Sequence, residues 1–146
     1  MSAEVRVRDG VLQIGDEETP LVAGEVQFWR MERSTWAAAL DRVVELGIPI
    51  ISTYLSWRRH EPVEGMFEWG GKNVELELRD FLELCHERRL WVQLKPGPWI
   101  CAEEPGGGYP DWIMASTDDL ALGAGDLPIG GYDIPFVHPV PSMQSP

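Results

Sequence analysis

The stretch STWAAALDRVVELGIPIISTY, residues 34–54, decides the fold, because it reads as a helix followed directly by a buried strand. Ser34 can cap a helix that runs to about Leu46, and Gly47 can end it. One apolar stripe follows the helical period along this segment: Trp36, Leu40, Val43 and Val44. Ile48–Tyr54 is a nearly unbroken apolar run, which is typical of a strand covered on both faces.

Strands and helices alternate on both sides of this stretch. Asp9-Gly10 predicts a tight hairpin, and Ala23–Trp29 reads as a strand. A second helix is predicted from Asn73, followed by a strand at Leu90–Leu94. The apolar stripe of that helix is Val74, Leu78, Phe81, Leu82 and Cys85. This order predicts an α/β fold with a parallel sheet, and both a doubly wound domain and a (β/α)₈ barrel begin this way.

Charge and cysteine content argue against several classes of protein. The 146 residues carry 24 acidic and 12 basic side chains, a net charge of −12. We expect no nucleic-acid partner, because phosphate backbones need clustered Lys and Arg. Neither a membrane-length apolar run nor a signal peptide is visible, so we expect no membrane partner and a cytoplasmic location. Cysteines and histidines lack ligand spacing, so we expect reduced thiols, no metal and no cofactor.

Turn-forming residues dominate the last part of the chain. Residues 104–146 contain seven Gly and seven Pro, with six acidic and no basic side chains. A structureless run of this length predicts a functional loop or a boundary, and we expect further structure to follow it. Gly106–Gly108 lacks the Lys-Ser/Thr of a phosphate loop, so it predicts a close approach of the backbone to another segment.

Aromatic, arginine and carboxylate side chains follow the three parallel strands, in residues 25–30, 53–62 and 96–103. In parallel α/β folds, functional loops lie at these carboxyl ends. Rings and paired polar groups suit a sugar, whose C–H faces stack while its hydroxyls need donors and acceptors. From the residues alone, Tyr54 and Glu103 fit a structural role as well as a binding role. An ion at Glu103, after a buried strand, would be costly unless paired or used.

Three motifs stand in order along the chain: GEVQFWR at residues 24–30, TYLSWRRHEP at 53–62 and KPGPWICAEEPGGGYPDW at 95–112. They resemble the strand-end motifs of glycoside hydrolase family 35, the β-galactosidase family. The match runs from about Leu21 to Met114, and the third motif is the most specific.

The resemblance implies a (β/α)₈ TIM barrel that removes terminal β-galactosyl residues from a galactoside with retention of configuration. Such enzymes use two carboxylates about 5–5.5 Å apart, one as acid/base and one as nucleophile. In the family, the acid/base follows an Asn at the end of the fourth strand, and the nucleophile ends the seventh. Asn73 is the only asparagine here and is followed by Val74. Neither catalytic carboxylate is therefore assigned, and we expect both to lie beyond the C-terminus.

The sugar-binding half of the pocket does carry over from the resemblance. Tyr54 matches the tyrosine that contacts galactose, and Cys101, Ala102 and Glu103 match the segment that binds the sugar hydroxyls. Arg30 matches a residue that supports the nucleophile without touching the sugar. The family usually has Arg at Lys95 and an aromatic residue where Glu104-Pro105 stands. Because the family pattern gives the position of Glu104 no sugar hydroxyl to hold, we expect Glu104→Gln to matter little.

The resemblance divides the chain into three regions. We expect an N-terminal hairpin at 1–20, a partial barrel at 21–114 and a Gly/Pro-rich acidic loop at 115–146. Two alternatives remain: a related enzyme that acts on another β-glycoside, and a non-catalytic carbohydrate-binding or orphan fragment. Because a partial barrel has unpaired strand edges, we also expect self-association.

Overall fold

The computed structural model describes residues 4–9 and 11–115, so the predicted acidic loop lies outside the described residues apart from Ala115. The described residues divide into two compact units: those up to residue 53 together with 77–94, and residues 54–76 together with 95–115. The helices of the described part are α1 (Trp36–Glu45), α2 (Trp57–His60), α3 (Leu78–Glu87) and α4 (Asp111–Met114). None of them is long and apolar enough to cross a membrane.

A small antiparallel sheet opens the first unit. Its strands are β1 (Val5–Arg8), β2 (Val11–Ile14) and β3 (Glu17–Thr19), in that order. Val7 lies opposite Leu12, which is the hairpin that Asp9-Gly10 predicts. The third strand could not be predicted from the sequence, because Glu17-Glu18-Thr19 shows no alternation of apolar and polar residues.

The second sheet has the order β4-β5-β6, with strands at Ala23–Glu25, Ile50–Tyr54 and Trp91–Lys95. β4 and β5 run parallel, and Gly24 lies opposite Ile51. Trp91 N–H donates to the carbonyl of Pro49 at 3.0 Å, next to the start of β5. The first four residues of β5 are buried, as the apolar run predicts for a strand covered on both faces.

The first strand of this sheet is shorter than its sequence suggests. Strand β4 ends at Glu25, and Phe28–Arg30 forms a 3-10 turn instead of continuing the predicted strand to Trp29. Phe28 and Trp29 are 0% and 3% exposed. Within this turn, the Phe28 ring packs against the rings of Trp36 and Phe81.

Three aromatic rings form the centre of the first unit. Phe28, Trp36 and Phe81 are fully buried, and their ring centroids lie 5.1–5.8 Å apart. The Trp36 indole N–H donates to the carbonyl of Phe28 at 3.0 Å. These contacts join α1, α3 and the 3-10 turn, so they connect three sequence segments through one cluster.

Both predicted helices begin later than expected. Ser34 lies in a 3-10 turn, and α1 starts at Trp36 without a side-chain cap. The prediction that Ser34 caps this helix is therefore wrong. The Asn73 carboxamide oxygen accepts from Glu75 N–H at 3.1 Å. This hydrogen bond lies at the start of a 3-10 turn, Val74–Leu76, and not at the start of α3. Val44 and Val74 are 45% and 51% exposed, so neither belongs to the buried stripe to which we assigned it.

Candidate active site

Glu61 organises the loop structure of the second unit. Its carboxylate accepts from the Trp57 indole at 2.5 Å and from Gly65 N–H at 2.8 Å. Its carbonyl accepts from the Trp112 indole at 3.1 Å. The Trp57 ring lies 5.8 Å from Trp112 and 6.0 Å from Tyr109, centroid to centroid. The residues that follow β5 and those around α4 therefore share one polar and aromatic scaffold.

Tyr54 and Lys95 stand at the ends of β5 and β6. Leu55 N–H donates to the Lys95 carbonyl at 2.9 Å, which fixes the two strand ends beside each other. The Lys95 ammonium lies 3.6 Å from the centroid of the half-buried Tyr54 ring. A cation over a ring face is attracted by the ring quadrupole, so this contact orients Tyr54.

The segment that follows Ile100 alternates between buried and exposed residues. Ala102 is 3% exposed, whereas Cys101 and Glu103 are exposed. Glu103 has a φ of 49°, in the left-handed region that is uncommon for residues other than glycine. Because Glu103 is exposed, its carboxylate does not carry the cost of a buried ion, and its role as a sugar ligand stays a prediction.

Glu104 occupies the buried position instead, with its side chain 2% exposed. One of its oxygens, Oε1, accepts from Arg59 Nε at 2.9 Å and from Arg59 Nη2 at 2.6 Å. Ser56 Oγ lies 3.5 Å from the other oxygen. Sequence reasoning missed this pair, and the expectation that Glu104→Gln matters little did not take the contact with Arg59 into account. The available signal was an acid in place of an aromatic residue, in a chain that carries Arg58-Arg59 on α2.

The three glycines allow close backbone packing, as predicted. A Cβ on Gly107 would lie 2.3 Å from the Trp99 indole nitrogen, and one on Gly108 would lie 2.6 Å from Ile100 Cγ1. Both glycines have positive φ, and Ile100 N–H donates to the Gly107 carbonyl at 2.8 Å. This turn therefore fixes the backbone segment that leads into residues 101–103.

Arg30 belongs to the first unit, where its guanidinium lies 4.9 Å from the ring centroid of Trp29. The four predicted sugar-binding residues all belong to the second unit: Tyr54, Cys101, Ala102 and Glu103. These four residues thus lie in one unit, while their contacts with a sugar and the role of Arg30 stay predictions.

Titration and metal chemistry add little to this site. Among the described residues, no group of three or more His, Cys, Asp or Glu side chains could hold a metal ion. Burial lowers the pKa of His60, whose Nδ1 lies 2.8 Å from the Glu68 carbonyl and whose ring stacks on Trp69. Burial also raises the pKa of Cys85 to about 11, so this thiol stays protonated at neutral pH. The described residues of this site can therefore bind a molecule through hydrogen bonds and through contact with aromatic rings.

Known proteins are similar to this chain over most of its length. The family model of glycosyl hydrolases family 35 matches residues 11–123. An exo-beta-D-glucosaminidase from Pyrococcus horikoshii is 34% identical over 137 residues, which are 90% of this chain and 18% of the relative. A beta-galactosidase from Felis catus is 37% identical over 116 residues, which are 75% of this chain and 17% of the relative.

A solved structure supports the fold at lower sequence identity. An exo-beta-1,4-mannosidase from Opitutaceae bacterium strain TAV5 matches with a TM-score of 0.54 and 19% identity, over 65% of this chain and 17% of that protein. This likeness shows a mixed α/β fold. The family model covers well over half of the sequence, and the chain therefore belongs to family 35 of the glycosyl hydrolases.

Proposed function

We propose that this chain forms the N-terminal part of the (β/α)₈ barrel of a retaining β-galactosidase, which removes terminal β-D-galactosyl residues. The observation that carries the proposal is the segment 101–103, where Ala102 is buried and Glu103 next to it is exposed. A carboxylate accepts hydroxyl hydrogens in charge-assisted bonds, which are stronger than bonds between neutral groups.

Tyr54 supplies the second contact in this proposal. Its ring is held against Lys95, and its hydroxyl can bond to the same sugar. The acid/base and the nucleophile would come from later strands, as the family resemblance implies. Residues 54–103 would then bind and orient the sugar while those carboxylates break the glycosidic bond.

A second substrate has support of its own. The exo-beta-D-glucosaminidase relative matches 90% of this chain, more than the 75% that the Felis catus beta-galactosidase matches. An exposed carboxylate at Glu103 would also bind the ammonium group of a glucosaminyl residue. A terminal β-D-glucosaminyl residue is therefore the alternative substrate.

Two completed chains test the proposal and separate the substrates. Each joins residues 1–146 to the part of one relative, galactosidase or glucosaminidase, that follows its matched segment. We expect both folded chains to hydrolyse aryl β-galactosides in preference to aryl β-glucosaminides, with the released sugar keeping its configuration by NMR. A preference that follows the grafted part would contradict our assignment of galactoside specificity to this chain.

The isolated chain provides the matching control. We expect residues 1–146 alone to leave an aryl β-galactoside intact, because the reaction needs a proton donor and a nucleophile, and the family resemblance implies that both belong to later strands. Turnover above the buffer rate that survives repeated purification would contradict this prediction. Hydrolysis by neither folded completed chain would overturn the proposed function and favour a binding or orphan fragment.

A further inference from the structure

An ion pair with Arg59 holds the buried Glu104, which is the residue next to Glu103, the predicted ligand of the sugar. Glu104 Oε1 receives two guanidinium N–H groups, at 2.9 and 2.6 Å, and its side chain is 2% exposed. A buried carboxylate is costly without a partner, so the position of Glu104 depends on Arg59. Arg59 is 38% exposed and lies on α2, which follows the end of β5.

Glu103 lies between two buried residues, Ala102 and Glu104, whose exposed fractions, counted over the whole residue, are 3% and 8%. Its φ of 49° is strained for a side chain with a Cβ. A strained backbone persists only where its surroundings determine it fully. We infer that Ala102 and Glu104 hold the backbone of Glu103 in this conformation. Glu104 is itself anchored by its ion pair with Arg59.

A second arginine of α2 makes a comparable but exposed link. Arg58 Nη2 donates to Asp111 at 2.9 Å, and the two side chains are 28% and 72% exposed. Exposed pairs of this kind contribute little because water and salt screen them. The two pairs join the same helix to the same region of chain, so Arg58–Asp111 is a matched control for Arg59–Glu104.

We propose that Glu104, fixed by Arg59, is a positioning residue that sets the direction of the Glu103 carboxylate and thereby the binding of the sugar. The inference rests on the proposed function, in which Glu103 accepts hydrogen bonds from the substrate. Glu104 itself touches no sugar in this proposal.

A double-mutant cycle in the completed chains tests this role. Glu104→Gln keeps the shape and removes the charge, and we expect kcat/KM to fall between about 5- and 100-fold, since small misplacements have effects of this order. In a Glu103→Gln background the same change should cost less than about 2-fold, because the group that Glu104 orients is already altered. Asp111→Asn should change kcat/KM by less than about 2-fold.

A purely structural role predicts a different pattern. Glu104→Gln would then lower kcat/KM by the same factor in both backgrounds, and that result would overturn the proposal. Arg59→Lys should give an intermediate loss, because an ammonium cannot reproduce the two donors that the guanidinium offers. Equal activity of Arg59→Lys and Arg59→Ala would also contradict it.

Hydrogen exchange separates this inference from the proposed function. We expect amide exchange at residues 101–104 to speed up in Glu104→Gln and to stay unchanged in Asp111→Asn. Unchanged exchange in Glu104→Gln overturns the positioning role whatever the activity is. Faster exchange in Glu104→Gln supports control of the backbone by Glu104. If the folded completed chains then hydrolyse no β-glycoside, the proposed function is overturned while this control stands.

Discussion

Two neighbouring carboxylates, Glu103 and Glu104, have opposite environments in this protein. Glu103 is exposed, while Glu104 is buried against Arg59. The sequence pattern predicts that this loop carries polar function, because it follows a strand in a parallel sheet. It could not predict which acid is buried, because that depends on a left-handed residue and on an arginine 45 positions away.

Replacement of Glu103 by Gln should lower kcat/KM in a completed chain. Loss of a charge-assisted hydrogen bond costs about 1.5–3 kcal/mol, which corresponds to roughly 10- to 200-fold. Tyr54→Phe should give a smaller loss, because a bond from a neutral hydroxyl is weaker. Glu83→Gln, at an exposed position of α3, is the control for the change of charge. Nearly full activity of Glu103→Gln in steady-state assays would rule out its role as a sugar ligand.

Stability should depend on pH through His60. Burial lowers the pKa of this imidazole in the folded state below its ordinary value of 6.5. Between the two pKa values the unfolded chain binds more protons, so the free energy of unfolding falls as the pH drops below 6.5. His60→Gln should reduce this loss, and His86→Gln, at an exposed position, is the control. Urea titrations of a completed chain at pH 8.0 and 5.5 measure the difference, and parallel behaviour of wild type and His60→Gln would contradict the expectation.

At the scale of elements, regular periodicity was predictable and irregular turns were not. The stripes of α1 and α3 identify Trp36, Phe81 and Cys85, all of which are buried. The 3-10 turn at Phe28–Arg30 escaped prediction, because its apolar residues resemble a strand until tertiary packing decides their direction. Helix starts were misplaced for a related reason: local cap residues compete with preceding 3-10 turns.

Replacing Gly107 in its turn should cost a measurable amount of stability. Gly107→Ala must place a Cβ 2.3 Å from the Trp99 indole nitrogen at a φ of 64°. Gly65 has a φ of 71° and nothing within 4 Å of its Cβ position, so Gly65→Ala carries only the backbone cost. That cost is about 1–2 kcal/mol, and Gly107→Ala should exceed it because the indole must also move. Urea unfolding of a completed chain gives both values, and equal losses would show that Trp99 yields without cost.

For the whole molecule, charge and exposed apolar surface act in opposite directions on association. Within the described residues, β4 and β6 each pair with one strand, so each leaves an edge. Large apolar side chains are also exposed in the described part, among them Met66, Phe67, Trp69, Leu94 and Trp99. Edges and apolar patches favour association, whereas a net charge of −12 opposes it through repulsion between copies.

The balance predicts how residues 1–146 behave alone. We expect an oligomeric or partly molten chain whose association increases with salt, because the screening length falls from about 10 Å at 0.1 M to about 3 Å at 1 M. Sedimentation velocity at several protein and salt concentrations measures this, and a completed chain that melts cooperatively is the control. Salt should weaken any association driven by charge, so the direction of the salt effect identifies apolar surface and strand edges as the cause. A strict monomer with a sharp melt independent of concentration would show instead that the two units bury enough surface to be stable by themselves.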